Sequence, residues 1–428
     1  MLFKDITILD EELNVRKNMY IGVSGDIIEY IDPAAPKKDY GEIYNGRGKL
    51  AMNAFYNAHA HSPMTLLRGY GENMRLQEWL NERIFPFEAK MNGNDVYWGT
   101  LLAMAESIRY GIVSSTDMYD FCDKMAEAVI LSGAKNNISR GVINFSGKSI
   151  KELPVYGEIG DLFANYHNAG EGRIKIDMSI HEEYTSDPDT VGAIFEYAKE
   201  LGANMHIHLS ETEFEHEECK KRHKKTPAQY FDSLGAFSVK TTAAHCVWLE
   251  GEDFDILARN GVAVATCPVS NMKLASGICD VPLLLKKGIN VALGTDSVCS
   301  NNNLNFIEEM KFMACAAKVR DKDPTAVTPK EALFAAQAAG AKSQGREGCG
   351  LLKAGNKADI VVFDIDKPHM YPVHDILTNI VYSASGSDIV LTMADGKVLY
   401  KDGLFTTIDI EKAVFETEKS RARILSGL

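Results

Sequence analysis

The middle of the chain alternates between short apolar segments and longer helix-like segments, and this alternation restricts the fold more than any other feature of the sequence. The eight apolar segments cover residues 51–59, 112–118, 141–145, 174–180, 204–209, 241–245, 262–267 and 290–294. Alternating strands and helices form parallel sheets with right-handed crossovers. A doubly wound open sheet is the alternative to a closed barrel, but no glycine-rich phosphate-binding turn follows the first segment. The pattern therefore predicts an α/β fold, a (β/α)8 TIM barrel with its chemistry at the carboxyl ends of the strands.

Both ends of the chain consist of short strand-like segments and tight turns instead. Residues 5–9 and 27–31 read as strands near the start, and residues 390–400 read as a hairpin on Asp395-Gly396 near the end. Neither end has enough strands for a stable domain of its own. We therefore expect residues 1–54 and 351–428 to form one small composite β-sandwich, beside a barrel of residues 55–350.

Candidate metal ligands stand at the ends of the predicted barrel strands. His59 and His61 lie two residues apart on one strand, so their imidazoles point to the same side. His208, His245 and Asp296 close later strands, although Asp296 alone would be read as the cap of a turn. Imidazole nitrogens and carboxylates bind zinc and similar metals, and three or four such ligands plus water make up a catalytic site. The residues therefore predict a catalytic metal centre at the rim of the barrel.

The composition and the charge exclude several kinds of partner. The formal net charge of -13 disfavours binding to nucleic acid, which needs basic patches. The first residues lack the layout of a signal peptide, and no stretch approaches the roughly 18 uninterrupted apolar residues of a membrane span. The eight cysteines include no CxxC pair, which favours free thiols in a reducing compartment. We therefore expect a cytoplasmic protein with a small-molecule substrate, without a nucleic-acid or membrane partner, as a monomer or a homo-oligomer.

Five segments, taken in order, resemble the aminohydrolase branch of the amidohydrolase superfamily, which includes 5-methylthioadenosine/S-adenosylhomocysteine deaminases and triazine chlorohydrolases. The segments are residues 57–69, 206–212, 244–246, 268–274 and 293–297. The resemblance covers nearly the whole chain and implies a barrel with a β-sandwich formed by both termini. It also implies a hydrolytic deamination, in which metal-activated water attacks C6 of the purine of an adenosine-type nucleoside and ammonia leaves.

The resemblance assigns the metal to four ligands: His59, His61, His208 and Asp296. Binuclear relatives carry a carbamylated lysine at the end of the fourth strand. Here that strand ends at Ile180-His181, and Lys175 lies too early. We therefore expect one divalent ion, Zn²⁺ in the first place, with Fe²⁺ or Mn²⁺ as alternatives.

The resemblance gives three residues a catalytic role. Asp296 accepts the proton of the attacking water in addition to binding the metal. Glu211 protonates the ring nitrogen beside the attacked carbon, and His245 positions the nucleophile and stabilises the tetrahedral intermediate. Glu211 and His245 are therefore also expected to contact the substrate.

Three further residues are candidates for binding the substrate. Glu88 matches the glutamate that holds the ribose hydroxyls in the family, although an ordinary glutamate at the start of a helix would look the same. His181 matches a family histidine near the substrate, in a segment that is altered here. Arg140 matches a family arginine, but a second arginine, which meets an amino-acid carboxylate in some relatives, has no clear counterpart. The group on the 5′ side of the ribose is therefore left open.

The alternatives to nucleoside deamination differ in substrate or in class. A deaminase or chlorohydrolase of a free purine, pyrimidine or triazine ring is the main alternative. Hydrolysis of a cyclic amide is disfavoured by the missing lysine, and a non-catalytic binding protein is disfavoured by the complete set of ligands. His206 is expected to be a supporting core group and not a ligand. Trp79 either packs against a substrate ring or fills a helix interface.

Overall fold

A computed structural model describes residues 1–74 and 76–428 of the chain. The strands are β1 (Leu2–Leu9), β2 (Val15–Ser24), β3 (Ile27–Asp32), β4 (Ile43–Asn45), β5 (Lys49–Asn53), β6 (Phe55–Ala60), β7 (Ile112–Tyr119), β8 (Lys135–Arg140), β9 (Ile174–Ile180), β10 (Met205–Leu209), β11 (Thr241–His245), β12 (Ala263–Thr266), β13 (Val291–Leu293), β14 (Ile360–Asp364), β15 (Ile389–Ala394), β16 (Lys397–Lys401) and β17 (Leu404–Phe405). The α-helices are α1 (Leu76–Trp79), α2 (Phe85–Glu88), α3 (Gly93–Arg109), α4 (Cys122–Ser132), α5 (Pro154–Tyr166), α6 (Pro188–Leu201), α7 (Glu213–His223), α8 (Pro227–Ser233), α9 (Asp253–Arg259), α10 (Pro268–Lys273), α11 (Val281–Lys286), α12 (Phe306–Asp321), α13 (Pro329–Ala336), α14 (Ala338–Ser343), α15 (Ile376–Tyr382) and α16 (Ile410–Ser426). A π-helical turn covers Leu80–Ile84, and 3-10 turns cover Ser62–Leu67, Ile150–Glu152, Glu183–Thr185, Ala236–Ser238, Pro368–Met370 and Gly386–Asp388.

The central sheet is an eight-stranded parallel barrel. Neighbouring strands pair in chain order from β6 to β13, and β10 pairs with β11 over its whole length. The ring closes where β13 meets β6, because the N–H groups of Thr295 and Asp296 donate to the carbonyl oxygen of His59 at 3.2 and 3.0 Å. The structure therefore confirms the predicted fold class, and the closure itself brings His59 and Asp296 together.

Two of the eight predicted strands differ from the structure. The segment 51–59 is not one strand, because β5 belongs to the terminal sheet and β6 begins the barrel. Ala54 separates the two, and its N–H donates to the carbonyl oxygen of Asp359 in the C-terminal segment at 3.0 Å. The third barrel strand is β8, and the predicted residues 141–145 follow it.

Strand β8 has polar residues where a buried strand is usually apolar. Lys135, Asn136 and Asn137 are all buried. Asn136 donates to the Asp117 carboxylate at 2.5 Å, and Asn137 donates to Asp177 at 2.9 Å. Lys135 forms ion pairs with two aspartates of the C-terminal segment. Aspartates elsewhere in the chain bind these side chains, so the apolar pattern that identified the other strands is absent here.

Both termini contribute to the second sheet. Strand β5 pairs in parallel with β1 and antiparallel with β14, where Met52 lies opposite Val361. The outer strand β3 returns to the segment before β14, since the Ile28 N–H donates to the Asn356 carbonyl oxygen at 2.9 Å. The sheet encloses an apolar core of its own. The chain ends therefore meet as expected, while the division of the chain at residues 54 and 350 stays a prediction.

The helices around the barrel begin at side-chain caps that the sequence supplies. Asn92 accepts hydrogen bonds from the first N–H groups of α3, and Asp187 accepts one from Thr190 at 2.7 Å at the start of α6. Gly202 follows the last residue of helix α6, and its φ of 65° favours glycine. None of the helices within residues 1–74 and 76–428 is long and apolar enough to cross a membrane.

Candidate active site

Three histidines from two barrel strands turn their Nε2 atoms toward a common point. His61 Nδ1 donates to the Met118 carbonyl oxygen at 2.7 Å, and His208 Nδ1 donates to the His181 carbonyl oxygen at 2.8 Å. These bonds place the proton on Nδ1, and the two Nε2 atoms lie 3.4 Å apart. His59 is fully buried, and its Nε2 has no hydrogen-bond partner among the described residues. The three Nε2 atoms therefore face the same space, in the arrangement of metal-binding imidazoles.

The Asp296 carboxylate completes this group of side chains. Its Oδ1 lies 3.4 Å from His59 Nε2 and 3.3 Å from His61 Nε2. Its Oδ2 accepts hydrogen bonds from the hydroxyls of Ser270 at 2.6 Å and Ser300 at 2.7 Å. Burial raises the pKa of Asp296, but the two histidines outweigh it and hold the pKa well below its usual range. The serines thus leave Oδ1, and not Oδ2, to face the imidazoles.

These four side chains fit a divalent metal ion. The candidate ligand atoms of His59, His61 and His208 all lie within 4.8 Å of one another, and so do those of His59, His245 and Asp296. Burial lowers the pKa of His59 to about 3, which keeps this imidazole in the neutral form that a metal binds. A buried polar atom without a partner is costly unless something binds it. Three nitrogens and one carboxylate oxygen match a zinc-type site.

A second layer of residues holds His59 in place. His59 Nδ1 and His206 Nε2 share a hydrogen bond of 2.9 Å, and His206 is fully buried. His206 therefore has the supporting position that the sequence predicts. Gly294 packs behind the same ring, where a Cβ atom would lie 2.9 Å from both the His59 Cβ and the Cys267 Sγ. Only glycine leaves room for His59 at this point of the barrel.

His245 and Glu211 stand beside the histidine cluster. His245 Nδ1 donates to Asn271 Oδ1 at 2.8 Å, and its Nε2 lies 3.8 Å from Glu211 Oε2. The Glu215 carboxylate accepts hydrogen bonds from the N–H groups of Ser210 at 2.9 Å and Glu211 at 2.7 Å, so it fixes the turn that carries Glu211. Burial raises the pKa of Glu211 above its usual value. A carboxyl group that can hold a proton therefore stands next to the candidate metal site.

A cavity of about 300 Å³ opens at this group of side chains. Of the residues that the sequence assigns to the site, the cavity is lined by His61, Glu88, Arg140, His181, His208, Glu211, His245 and Asp296. His59 lies buried beneath the wall. Trp79 also lines the cavity, so it faces the space of a ligand in addition to packing against helices.

Glu88 and His181 both line this cavity. The Tyr119 hydroxyl donates to Glu88 Oε1 at 2.6 Å, and burial raises the pKa of Glu88 to about 7. The His181 ring lies 4.7 Å from the His208 ring, centroid to centroid, and burial lowers the pKa of His181 to about 4. Both side chains are thus positioned to meet a ligand that extends outward from the histidine cluster.

Arg140 lies at the end of β8 with 27% of its side chain exposed. It forms an ion pair with Asp120 and donates to the Gly141 carbonyl oxygen at 2.9 Å. Its charge therefore already has a partner within the protein.

The sequence of this chain is similar to that of known hydrolases. The sequence pattern of the Amidohydrolase family matches residues 50–399. This chain belongs to the amidohydrolase family. It is 40% identical to a 5-methylthioadenosine/S-adenosylhomocysteine deaminase of Dictyoglomus thermophilum, over 98% of this chain and 97% of that protein. It is also 38% identical to a 5'-deoxyadenosine deaminase of Methanosarcina mazei, over 96% of this chain and 95% of that protein.

Solved structures share the fold of this chain. A crystal structure of an adenosine deaminase from Xanthomonas campestris with bound zinc superimposes with a TM-score of 0.93 at 27% identity, over 99% of this chain and 98% of that one. A triazine hydrolase variant shares the fold, with a TM-score of 0.91 at 20% identity over 98% and 99% of the two chains. The predicted resemblance is confirmed, and this amidohydrolase is a hydrolase that acts on C–N bonds.

Sequence reasoning gave no role to several side chains that hold the site of this amidohydrolase. Ser270 and Asn271 lie in the segment 268–274 that carried the resemblance, so the sequence contained a signal for them. Ser300 and Glu215 lie outside the segments that carried the resemblance, and Glu215 accepts hydrogen bonds from backbone N–H groups.

Proposed function

We propose that this amidohydrolase deaminates an adenosine-type nucleoside, similar to 5-methylthioadenosine or S-adenosylhomocysteine, with the help of one divalent metal ion. The observation that carries the proposal is the convergence of three histidines and Asp296 at the wall of a cavity that also contains Glu211. The similarity to the two deaminases of Dictyoglomus thermophilum and Methanosarcina mazei supports the same reaction.

The metal would be held by four ligands: His59, His61, His208 and Asp296. Zn²⁺ suits this donor set, with Fe²⁺ or Mn²⁺ as alternatives. No lysine is among the described residues that line the cavity, which supports a single ion over a lysine-bridged pair. When bound, the metal lowers the pKa of water to about 7 and so supplies a nucleophile at neutral pH.

The protein groups move protons and hold the reacting atoms. Asp296 accepts the proton that the attacking water loses, and its carboxylate is oriented by two serine hydroxyls. Glu211 donates a proton to the ring nitrogen beside C6, so that negative charge does not accumulate on the purine. His245, held by Asn271, positions the attacking oxygen and stabilises the tetrahedral intermediate. The amino group then takes up the proton that Asp296 holds, the C6–N bond breaks and ammonia leaves. The C6 hydroxyl becomes a carbonyl as it returns a proton to Glu211.

The outer wall supports a nucleoside over a free base. Glu88 Oε1 is occupied by the Tyr119 hydroxyl, which leaves Oε2 to accept hydrogen bonds from ribose hydroxyls. His181 and Arg140 both line the cavity, where His181 would contact the base and Arg140 would lie near the 5′ side of the ribose. A cytoplasmic location, a homo-oligomer and the lack of a nucleic-acid partner stay predictions from the sequence.

The proposal is tested by ammonia release from adenosine and 5-methylthioadenosine, with adenine, guanine and a chlorotriazine as comparison substrates. We expect turnover of the nucleosides alone. Glu211→Gln should keep its bound metal and lose about 10²–10⁴-fold in kcat, because an amide cannot deliver the ring proton. Turnover of a free base or a triazine without turnover of either nucleoside would replace the proposal with the free-ring alternative.

A further inference from the structure

The outer wall of the cavity is apolar, although it is open to solvent. Phe85 and Phe121 are each 46% exposed, and Ile143 is 43% exposed. All three line the cavity, together with Leu80 and Val155. Large apolar side chains that surround the mouth of a polar site mark a surface that a ligand covers. An apolar group that extends from the reacting centre would be buried against this wall.

Arg140 is the only lysine or arginine among the described residues that line the cavity. Its guanidinium is paired with Asp120 and bonded to the Gly141 carbonyl oxygen, and its Nε lies 4.0 Å from Glu158 Oε2. A carboxylate on a ligand would have to displace Asp120 or approach against two carboxylates. The positive charge of Arg140, which could hold a negatively charged tail, is thus already paired with Asp120.

Consecutive residues at the end of strand β7 connect Glu88 to the wall that contains Arg140. The Tyr119 hydroxyl contacts Glu88, and the next two residues, Asp120 and Phe121, both line the cavity. Because Asp120 also pairs with Arg140, a ribose held by Glu88 would lie beside the wall that contains Asp120, Phe121 and Arg140, within reach of a 5′ substituent. This step rests on the proposed function, because it requires a nucleoside in the cavity.

We infer that the outer cavity selects nucleosides with a small apolar 5′ substituent, such as a methylthio or methyl group, over nucleosides with an amino-acid tail. The apolar wall gains contacts from a methylthio group, whereas the carboxylate of an amino-acid tail finds its cation occupied. The ammonium of such a tail gains little from Asp120 and Glu158, because their side chains are 56% and 60% exposed and pairing in water is weak. The same exposure limits the effect of the pair between Arg140 and Asp120, so most of the discrimination comes from the apolar wall and a smaller part from Asp120. Asp120 and the apolar wall therefore determine specificity.

The test compares kcat/KM for adenosine, 5-methylthioadenosine, 5′-deoxyadenosine and S-adenosylhomocysteine. We expect wild-type protein to prefer 5-methylthioadenosine over S-adenosylhomocysteine by at least about tenfold, because the tail of the latter brings two charged groups to an apolar wall that offers them no free partner. Asp120→Asn releases Arg140 and should shift the ratio toward S-adenosylhomocysteine by about threefold or more, the value of an exposed ion pair. Asp123→Asn is the matched control, since Asp123 is exposed nearby and does not line this cavity.

The outcomes separate this inference from the proposed function. Equal kcat/KM for the two thioethers in wild-type protein, or the same substrate ratio in Asp120→Asn and Asp123→Asn, would overturn the inference alone. Adenosine lacks both kinds of 5′ tail, so a failure to deaminate any of the four nucleosides would overturn the proposed function instead. Metal content and Tm of each variant, matched to wild type, exclude misfolding as the cause.

Discussion

Two serine hydroxyls from different segments donate to one oxygen of Asp296. Ser270 lies on helix α10 and Ser300 lies in the loop after β13, and the hydroxyls of both residues donate to Oδ2. Such contacts orient a carboxylate that binds a metal through Oδ1, because the hydrogen bonds to Oδ2 prevent the carboxylate group from rotating. At the scale of single residues, the geometry of the site therefore depends on groups that are not themselves metal ligands.

This arrangement predicts the effect of removing one hydroxyl. Ser270→Ala should weaken Zn²⁺ binding by about 10–100-fold, the usual cost of losing a group that orients a ligand. Ser270→Thr keeps the hydroxyl and is expected to bind Zn²⁺ more tightly than the alanine variant. Competition with a chromophoric chelator measures both affinities. Wild-type affinity in Ser270→Ala would show that the hydroxyl does not orient Asp296.

Glu88 allows a second prediction at the same scale. If Oε2 accepts hydrogen bonds from the ribose hydroxyls, Glu88→Ala should lower kcat/KM for adenosine by roughly 10²-fold, since each 1.4 kcal/mol is about tenfold. A 2′,3′-dideoxy analogue should be poor for the wild type and lose little more in the variant, because both changes remove the same contact. Steady-state kinetics with the four combinations provide the measurement. Equal losses on both substrates would instead indicate a structural role for Glu88.

The residues of the site were predictable where chemistry and spacing coincide. His59 and His61 were recognisable from an HxH pair at a strand end, and His208 and Asp296 followed from their place after later strands. Glu215 was not predictable, because it holds two backbone N–H groups and so leaves no partner residue to find in the sequence.

At the scale of elements, helix α12 supports helix α10 through one buried carboxyl group. Glu309 Oε2 accepts a hydrogen bond from the Val269 N–H at 3.2 Å, and Asn301 donates to Oε1. Burial raises the pKa of Glu309 to about 8. The folded protein therefore binds the proton of Glu309 more tightly than the unfolded chain does.

This shift predicts a dependence of stability on pH. The contribution of Glu309 is fully present below its ordinary pKa of 4.5 and is lost as the pH rises through about 8. Within that window, Glu309 should reduce the free energy of unfolding by at most about 1.4 kcal/mol per pH unit. Urea unfolding of wild type and Glu309→Gln across this range measures the difference in slope. Parallel slopes for the two proteins would contradict the assigned shift.

Elements differ in how far the sequence reveals them. Most barrel strands were predictable because an apolar run ends at a turn, as in β9 and β11. Strand β8 was misplaced because its buried positions are polar and are satisfied by aspartates that are distant in sequence. The break at Ala54 was missed because two apolar strands of different sheets follow each other without a turn signal.

At the scale of the whole molecule, the two chain ends and the barrel are joined by buried polar contacts. The Tyr56 hydroxyl on β6 and the Lys135 ammonium on β8 both contact Asp359, which precedes β14. The joining of the ends was predictable, because neither end could form a domain alone. These particular contacts were not, since they depend on how the sheet and the barrel dock.

The central claim is that one metal ion in this site is required for deamination of an adenosine nucleoside. The most direct measurement is ammonia release from 5-methylthioadenosine by metal-free protein, followed as Zn²⁺ is added in known amounts per chain. We predict no release without metal, a linear rise, and saturation at one ion per chain, with no such rise for His61→Ala because one of the four ligands is missing. Undiminished ammonia release by the metal-free protein, or saturation only at two ions per chain, would contradict the account.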